Sequence, residues 1–174
     1  MAHRISIASA LAVALTPWLG AQTVNEYHVK AAYLYNLALF VQWPPETFAS
    51  RGEPMGLCVL GESPLRKVLA EAVKGETIDG RSLLVREVSG PAPGCQVLFI
   101  AASERERARS ILQALKGHST LTVGETDEFL AEGGAVTFRL EGDKVRIEIS
   151  LGAMAEQRLR VSPQLLNLPR VVKR

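Results

Sequence analysis

Between Val29 and Pro44 the chain reads VKAAYLYNLALFVQWP, and from Ala31 to Val41 only Asn36 is clearly polar. That run is too short to span a bilayer, which takes roughly 20 apolar residues. It is apolar on nearly every side, unlike a surface helix with one wet face. Such a helix is expected to be wholly buried or to offer part of its surface to a partner. Thr23-Val24-Asn25-Glu26 has capping-box form, with Glu three residues after Thr. The helix is therefore expected over about 24–42. Trp43-Pro44-Pro45 should end it, because proline restricts the residue before it and lacks a ladder N–H.

The residues ahead of this helix read as a secretory signal peptide, residues 1–21. His3 and Arg4 are polar, Ile5–Leu15 is apolar, Pro17 is a breaker, and Leu19-Gly20-Ala21 ends in small residues. An apolar stretch of this length suits an export signal rather than a membrane span. No lipobox-type Cys lies near the cut, and no second hydrophobic span follows. The expected mature chain is residues 22–174, 153 residues, enough for one domain with its own core. Losing Arg4 leaves 19 basic against 18 acidic residues. That balance gives no reason to expect nucleic acid, and export argues against it.

Cys58 and Cys95 both lie in the mature part. An even count in an oxidising compartment favours a disulfide, with two buried thiols as the alternative. The bridge would stabilise by about 3–4 kcal/mol on the chain-entropy account. No CxxC is present and His3, His28 and His118 are scattered, so no metal site is expected.

From Gly56 onward, short apolar runs alternate with helical stretches. Strands are expected at Gly56–Leu60, Ser82–Val88, Cys95–Ile100 and Thr120–Val123. Ser63-Pro64 should start a helix to about Val73, Ser103 should cap one over 104–115, and Thr126 a short one through Leu130. Val136, Phe138 and Leu140, then Val145, Ile147 and Ile149, alternate with polar residues around Glu141-Gly142-Asp143. That is an antiparallel hairpin with one wet face. Ser150 and Ser162 should cap two last helical stretches.

The expected fold class is α/β. It is a single three-layer domain with a mostly parallel, small doubly wound sheet and an antiparallel edge hairpin. A long apolar N-terminal helix is added to it. If the first and third strands are neighbours, as in the common 2-1-3-4 order, Cys58 and Cys95 can approach each other.

Little in the chain points to catalysis. No GxSxG elbow, Walker loop, HExxH or GxGxxG occurs, so no enzyme activity and no cofactor is expected. Two strand-to-helix turns, Gly61-Glu62-Ser63 and Gly124-Glu125, should lie at the carboxyl ends of strands, where open α/β sheets bind ligands. They are the candidate ligand turns, against plain helix capping. Ala31, Leu34, Ala38 and Val41 share one face of the first helix and are expected in the core. Tyr33, Tyr35, Asn36, Leu37, Phe40 and Trp43 form the candidate partner or dimer surface, against burial under later segments. Arg158, Arg160, Arg170, Lys173 and Arg174 make a basic C-terminal tail, solvated or weakly drawn to an anionic membrane surface.

The chain resembles the YfiR-like periplasmic proteins, the family of YfiR and HmsC. The resemblance rests on Val29–Asn36 with Phe40-Val41 and Trp43-Pro44, on Cys58–Gly61, Cys95–Ile100 and Leu121–Gly124, and on Phe129 with Gly133-Gly134. It continues through Val145–Ile149, Leu159, Val161-Ser162 and Leu165-Leu166. The resemblance implies a periplasmic regulator that is not an enzyme. Its implied partner is an inner-membrane diguanylate cyclase with a periplasmic sensor region, which it restrains, lowering cyclic di-GMP and biofilm formation. A homodimer stays open. The other reading is a periplasmic small-ligand-binding module serving a transport or sensory system.

Overall fold

The computed structural model describes residues 19–167 and 171–173, with side chains described for 26–167. Helix α1 (Leu19–Phe40) leads into a two-residue strand, β1 (Val41–Gln42). Then follow β2 (Met55–Leu60), α2 (Leu65–Ala72), β3 (Thr77–Ile78), β4 (Arg81–Val88) and β5 (Val97–Ile100). Next come α3 (Arg105–Ala114), β6 (Leu121–Gly124), β7 (Val136–Glu141), β8 (Lys144–Ile149) and α4 (Leu151–Glu156). The chain closes with β9 (Arg160–Val161), α5 (Pro163–Leu166) and β10 (Val171–Lys173).

The main sheet has the order β10-β8-β7-β6-β5-β2-β4-β3. It is curled, mixed and mostly parallel, with antiparallel pairing at β7–β8 and β3–β4. In the middle strands every residue is buried, and successive side chains serve opposite faces. Leu57, Val59, Val97 and Phe99 join the core under α1 and α2, together with Leu34, Leu37, Leu65 and Leu69. Cys58, Leu60, Leu98 and Ile100 meet Ala108, Ile111 and Leu112 of α3 on the other face. Burial on both faces explains why these strands read as unbroken apolar runs.

Several expectations about the fold are corrected. The first helix is not a wholly apolar rod. One stripe, Ala31, Leu34, Leu37, Ala38 and Val41, is buried, whereas His28, Ala32 and Leu39 are exposed. Lys30 is buried too, with its charge paired. Among the described residues no helix is long and apolar enough to cross a membrane.

The helix also stops at Phe40 rather than Gln42. Continuing it would require an N–H on residue 44 to bond the Phe40 carbonyl, and residue 44 is proline. That carbonyl instead accepts from the Ser162 N–H at 2.9 Å. Val41 and Gln42 pair antiparallel with Val161 and Arg160. The expected signal peptide lies outside the described residues, apart from the backbone of 19–21, which opens α1. Thr23 falls inside that helix, so it is not the expected cap.

The hairpin is not an edge, because β10 adds in parallel outside β8. Lys173 therefore belongs to a strand of the sheet, not to a free tail. Thr126–Leu130 is a run of turns rather than a helix. Ser103 does not cap α3. Its Oγ accepts from the Glu62 N–H at 2.9 Å. Ser150 and Ser162 do cap, accepting from the N–H groups of Ala153 and Gln164.

Candidate functional site

The strand order puts β2 between β4 and β5. From β2 the chain moves to one side, through α2 to β4. From β5 it moves to the other, through α3 to β6. This reversal is the switch point where open α/β sheets hold ligands, at the carboxyl ends of the strands. Both candidate ligand turns are at this end. Gly61-Glu62-Ser63 follows β2, and Gly124-Glu125 closes β6.

Gly61 is needed for its turn. Its φ is +90°, and a Cβ there would sit 2.6 Å from Ser103 Oγ and 2.7 Å from Glu104 Cγ. The Ala101 N–H donates to the Leu60 carbonyl at 2.9 Å, drawing the β5 turn against it.

The chain's own helix occupies much of this end. Lys30 Nζ donates to Glu125 Oε2 at 2.6 Å, and the other carboxylate oxygen accepts from the Ala102 N–H at 2.9 Å. Glu26, one turn before Lys30, also pairs with its ammonium. The Lys30 and Glu125 side chains are only 4% and 9% exposed. Lys30 Nζ lies 4.9 Å from the centroid of the Tyr27 ring.

Burial acts to lower the Lys30 pKa, but the hydrogen bond and charge of Glu125, followed by those of Glu26, outweigh it and hold the pKa above its ordinary value. Burial, and then the negative charge of Glu125, push the Tyr27 pKa up. The ammonium is thus firmly protonated and the phenol firmly neutral. What remains is a shallow hollow of about 340 Å³ lined by Glu26, Tyr27, Lys30, Asp127 and Arg139. The arrangement binds α1 to the sheet. It holds no nucleophile–base pair, and among the described residues no cluster of ligands fit for a metal.

Sequence reasoning passed over Lys30 and Tyr27 and gave Glu26 to a capping box, whereas its carboxylate pairs with Lys30. The available signal was a lone Lys on the face that carries Ala31, Leu34 and Ala38, four residues after a Glu.

The candidate partner surface divides. Leu37 is 0% exposed and belongs to the core, so it is no part of a surface. Tyr33, Tyr35, Phe40 and Trp43 are partly buried and pack on that core, and Asn36 is half-buried. Tyr33 lies 6.2 Å from Phe138, ring to ring. The Tyr35 hydroxyl donates to Glu76 at 3.2 Å. The Trp43 indole N–H is buried without a partner among the described residues. The outward stripe of α1 is His28, Ala32, Tyr35 and Leu39, at 4-3-4 spacing on one face. Leu39, 43% exposed, is the residue sequence reasoning left out.

Cys58 and Cys95 form a disulfide, with Cα atoms 5.7 Å apart. It links β2 to the residues leading into β5, because those strands are parallel neighbours. Arg86 Nη2 approaches both sulfurs, at 3.9 and 3.7 Å, and donates to the Pro93 carbonyl at 3.0 Å.

A family model described as YfiR/HmsC-like matches residues 27–170, or 144 of the 174 residues. The chain belongs to the YfiR/HmsC-like family. The matched segment begins at Tyr27, beside Lys30, and ends before β10. It therefore takes in the ion pair, the disulfide and the outward stripe of α1. The YfiR/HmsC-like family is one of periplasmic regulation, and its domain is regulatory rather than catalytic.

Proposed function

We propose that this chain is an exported periplasmic regulator that binds an inner-membrane diguanylate cyclase and restrains it, lowering cyclic di-GMP and biofilm formation. Residues 1–21 are the export signal, cleaved near Ala21. The YfiR/HmsC-like match over 27–170 carries the reading. A regulator of this kind acts only through unequal affinity for two states of its partner. A rigid surface suits that task, because it cannot adapt equally to both. The outward stripe of α1 has this rigidity, as its opposite side is fixed by the core and by the Lys30–Glu125 pair.

The experiment is intracellular cyclic di-GMP in a deletion strain. The strain is complemented with the full chain and with a form lacking Met1–Ala21. A rise on deletion, reversed by the full chain alone, supports an exported brake. No change on deletion across several growth conditions overturns it.

A further inference from the structure

Strand β4 is an open edge for most of its length. On its inner side β2 pairs with Leu83–Val88, but on its outer side β3 covers only Arg81 and Ser82. Among the described residues no other backbone bonds to Leu83–Val88. Every second residue there turns its N–H and C=O outward, and what fits such a row of donors and acceptors is another strand. The open stretch lacks the proline and the bulge that commonly guard an edge. Its two charges are engaged within the chain, since Arg86 reaches the Pro93 carbonyl and Glu87 pairs with Arg66.

The strand is complementary to itself in one register. Its side chains alternate, with Leu83 and Val85 on the core under α1 and α2, and Val88 on the core under α3. A two-fold axis normal to the sheet keeps each side chain on its own face. A residue can then oppose only itself or one an even number of positions away. Centring the pair on Leu84 drives Arg86 against Ser82, which β3 already holds. Centring it on Arg86 sets two guanidinium groups opposite each other, an unfavourable pair.

Centring it on Val85 leaves Leu83–Glu87 free to pair. Leu84, 47% exposed, then lies opposite the stem of Arg86 from the other copy and diagonal to its Val88. Glu87 of each copy lies diagonal to Arg81 of the other. Opposite charges thus face each other twice, at the roughly 7–8 Å that long side chains can bridge.

We propose that two copies of this chain pair antiparallel through β4, centred on Val85, and join their sheets into one. The interface is isologous, so a single strand supplies both sides of it. The proposal rests on the β4 edge and not on the cyclase partner.

The test is analytical ultracentrifugation of the protein purified after expression of the full chain, from low to high micromolar. A dimer that forms with rising concentration is expected. Leu84→Lys sets a second cation against Arg86 and removes the apolar contact. It should raise the dissociation constant tenfold or more and leave Tm unchanged in the monomer, because the residue is exposed. Should that variant fail to fold, Glu87→Arg carries the disruption, placing like charges against Arg81. A spin label on Ser89→Cys, an exposed position, reports the register. Residue 89 opposes residue 81 of the other copy, eight positions from its own mate, so the labelled Cα atoms are expected about 27 Å apart at 3.4 Å per residue. Three results overturn the proposal. One is a monomer at every concentration, which leaves the edge to a strand of another protein. The second is a dimer that the β4 variants do not weaken, or that Leu39→Glu dissolves instead. The third is a label separation far from the expected one, which puts the interface elsewhere.

Discussion

Lys30 in α1 and Glu125 at the end of β6 form a hydrogen-bonded ion pair at 2.6 Å across 95 positions of sequence. Both side chains are buried, so neither charge has water to fall back on. Removing one partner of such a pair costs up to about 3–5 kcal/mol where the other charge stays buried and unpaired. Glu125→Leu should cost less than Lys30→Met, because Lys30 keeps its pairing with Glu26. Lys30→Met and Glu125→Leu should each lower the urea midpoint. The double variant should recover most of the loss, since a well-packed apolar pair replaces a buried ion pair at little cost. Additive losses would show that the two residues do not act as a pair.

The same pair sets an alkaline limit. The Lys30 pKa in the folded chain is above its ordinary 10.5. A raised folded pKa gives stability that is whole below the unfolded value and is lost as pH rises through the folded one. Tyr27, also raised from its ordinary 10.0, acts with the same sign. The expected urea midpoint shows no contribution from these groups to any change between pH 7 and 9, then falls above about pH 10. Lys30→Met should flatten part of that fall. An identical alkaline profile in the variant would overturn the assignment.

Phe129 is buried between two glycines. A Cβ on Gly124 would sit 2.3 Å from its Cδ2, and one on Gly134 2.2 Å from its Cδ1. Gly124→Ala and Gly134→Ala should therefore each destabilise by about 1–3 kcal/mol through overpacking. Gly152 in α4 has nothing within 4 Å of its added Cβ. Gly152→Ala should raise stability by roughly 0.5–1 kcal/mol, as glycine is a poor helix former. Thermal melts of the three variants check both signs.

The Cys58–Cys95 bridge spans 37 positions of chain, worth about 3–4 kcal/mol on the chain-entropy account. At about 2–4 °C per kcal/mol for a chain of this size, Cys58→Ser/Cys95→Ser should melt roughly 10 °C below the parent. An unchanged Tm would make the bridge dispensable for stability.

Leu39 and Leu37 are two positions apart on α1 and should behave oppositely. Leu39 faces outward and Leu37 is in the core. Leu39→Glu should leave Tm within about 2 °C, because exposed substitutions change little. It should also raise cyclic di-GMP toward the deletion level. Leu37→Ala should cost about 2–5 kcal/mol through the cavity it leaves. If Leu39→Glu complements fully, the outward stripe of α1 is not the partner surface.

Much of the layout was legible from local patterns. The apolar runs of β2 and β5, the alternation of β7 and β8, and the caps at Ser150 and Ser162 all depend on residues within a few positions of one another. The end of α1 was legible in principle, since Pro44 removes one particular N–H. Ser103 misled, because its hydroxyl is used by Glu62, 41 positions away, rather than by its own helix. The short strands β1, β9 and β10 carry too few residues to show a period, and their pairing depends on where the chain returns.

Residue order alone decided the longer strands of the sheet, the β7–β8 hairpin and the caps at Ser150 and Ser162, because periodicity and capping act over a few residues. It also decided that two cysteines were available to bridge. Only the tertiary structure decided that Cys58 and Cys95 are neighbours, that Leu37 is core while Leu39 is surface, and that Lys30 meets Glu125. Those outcomes depend on strand order and on the rotation of α1 about its axis. Both are settled by packing contacts between residues far apart in the chain.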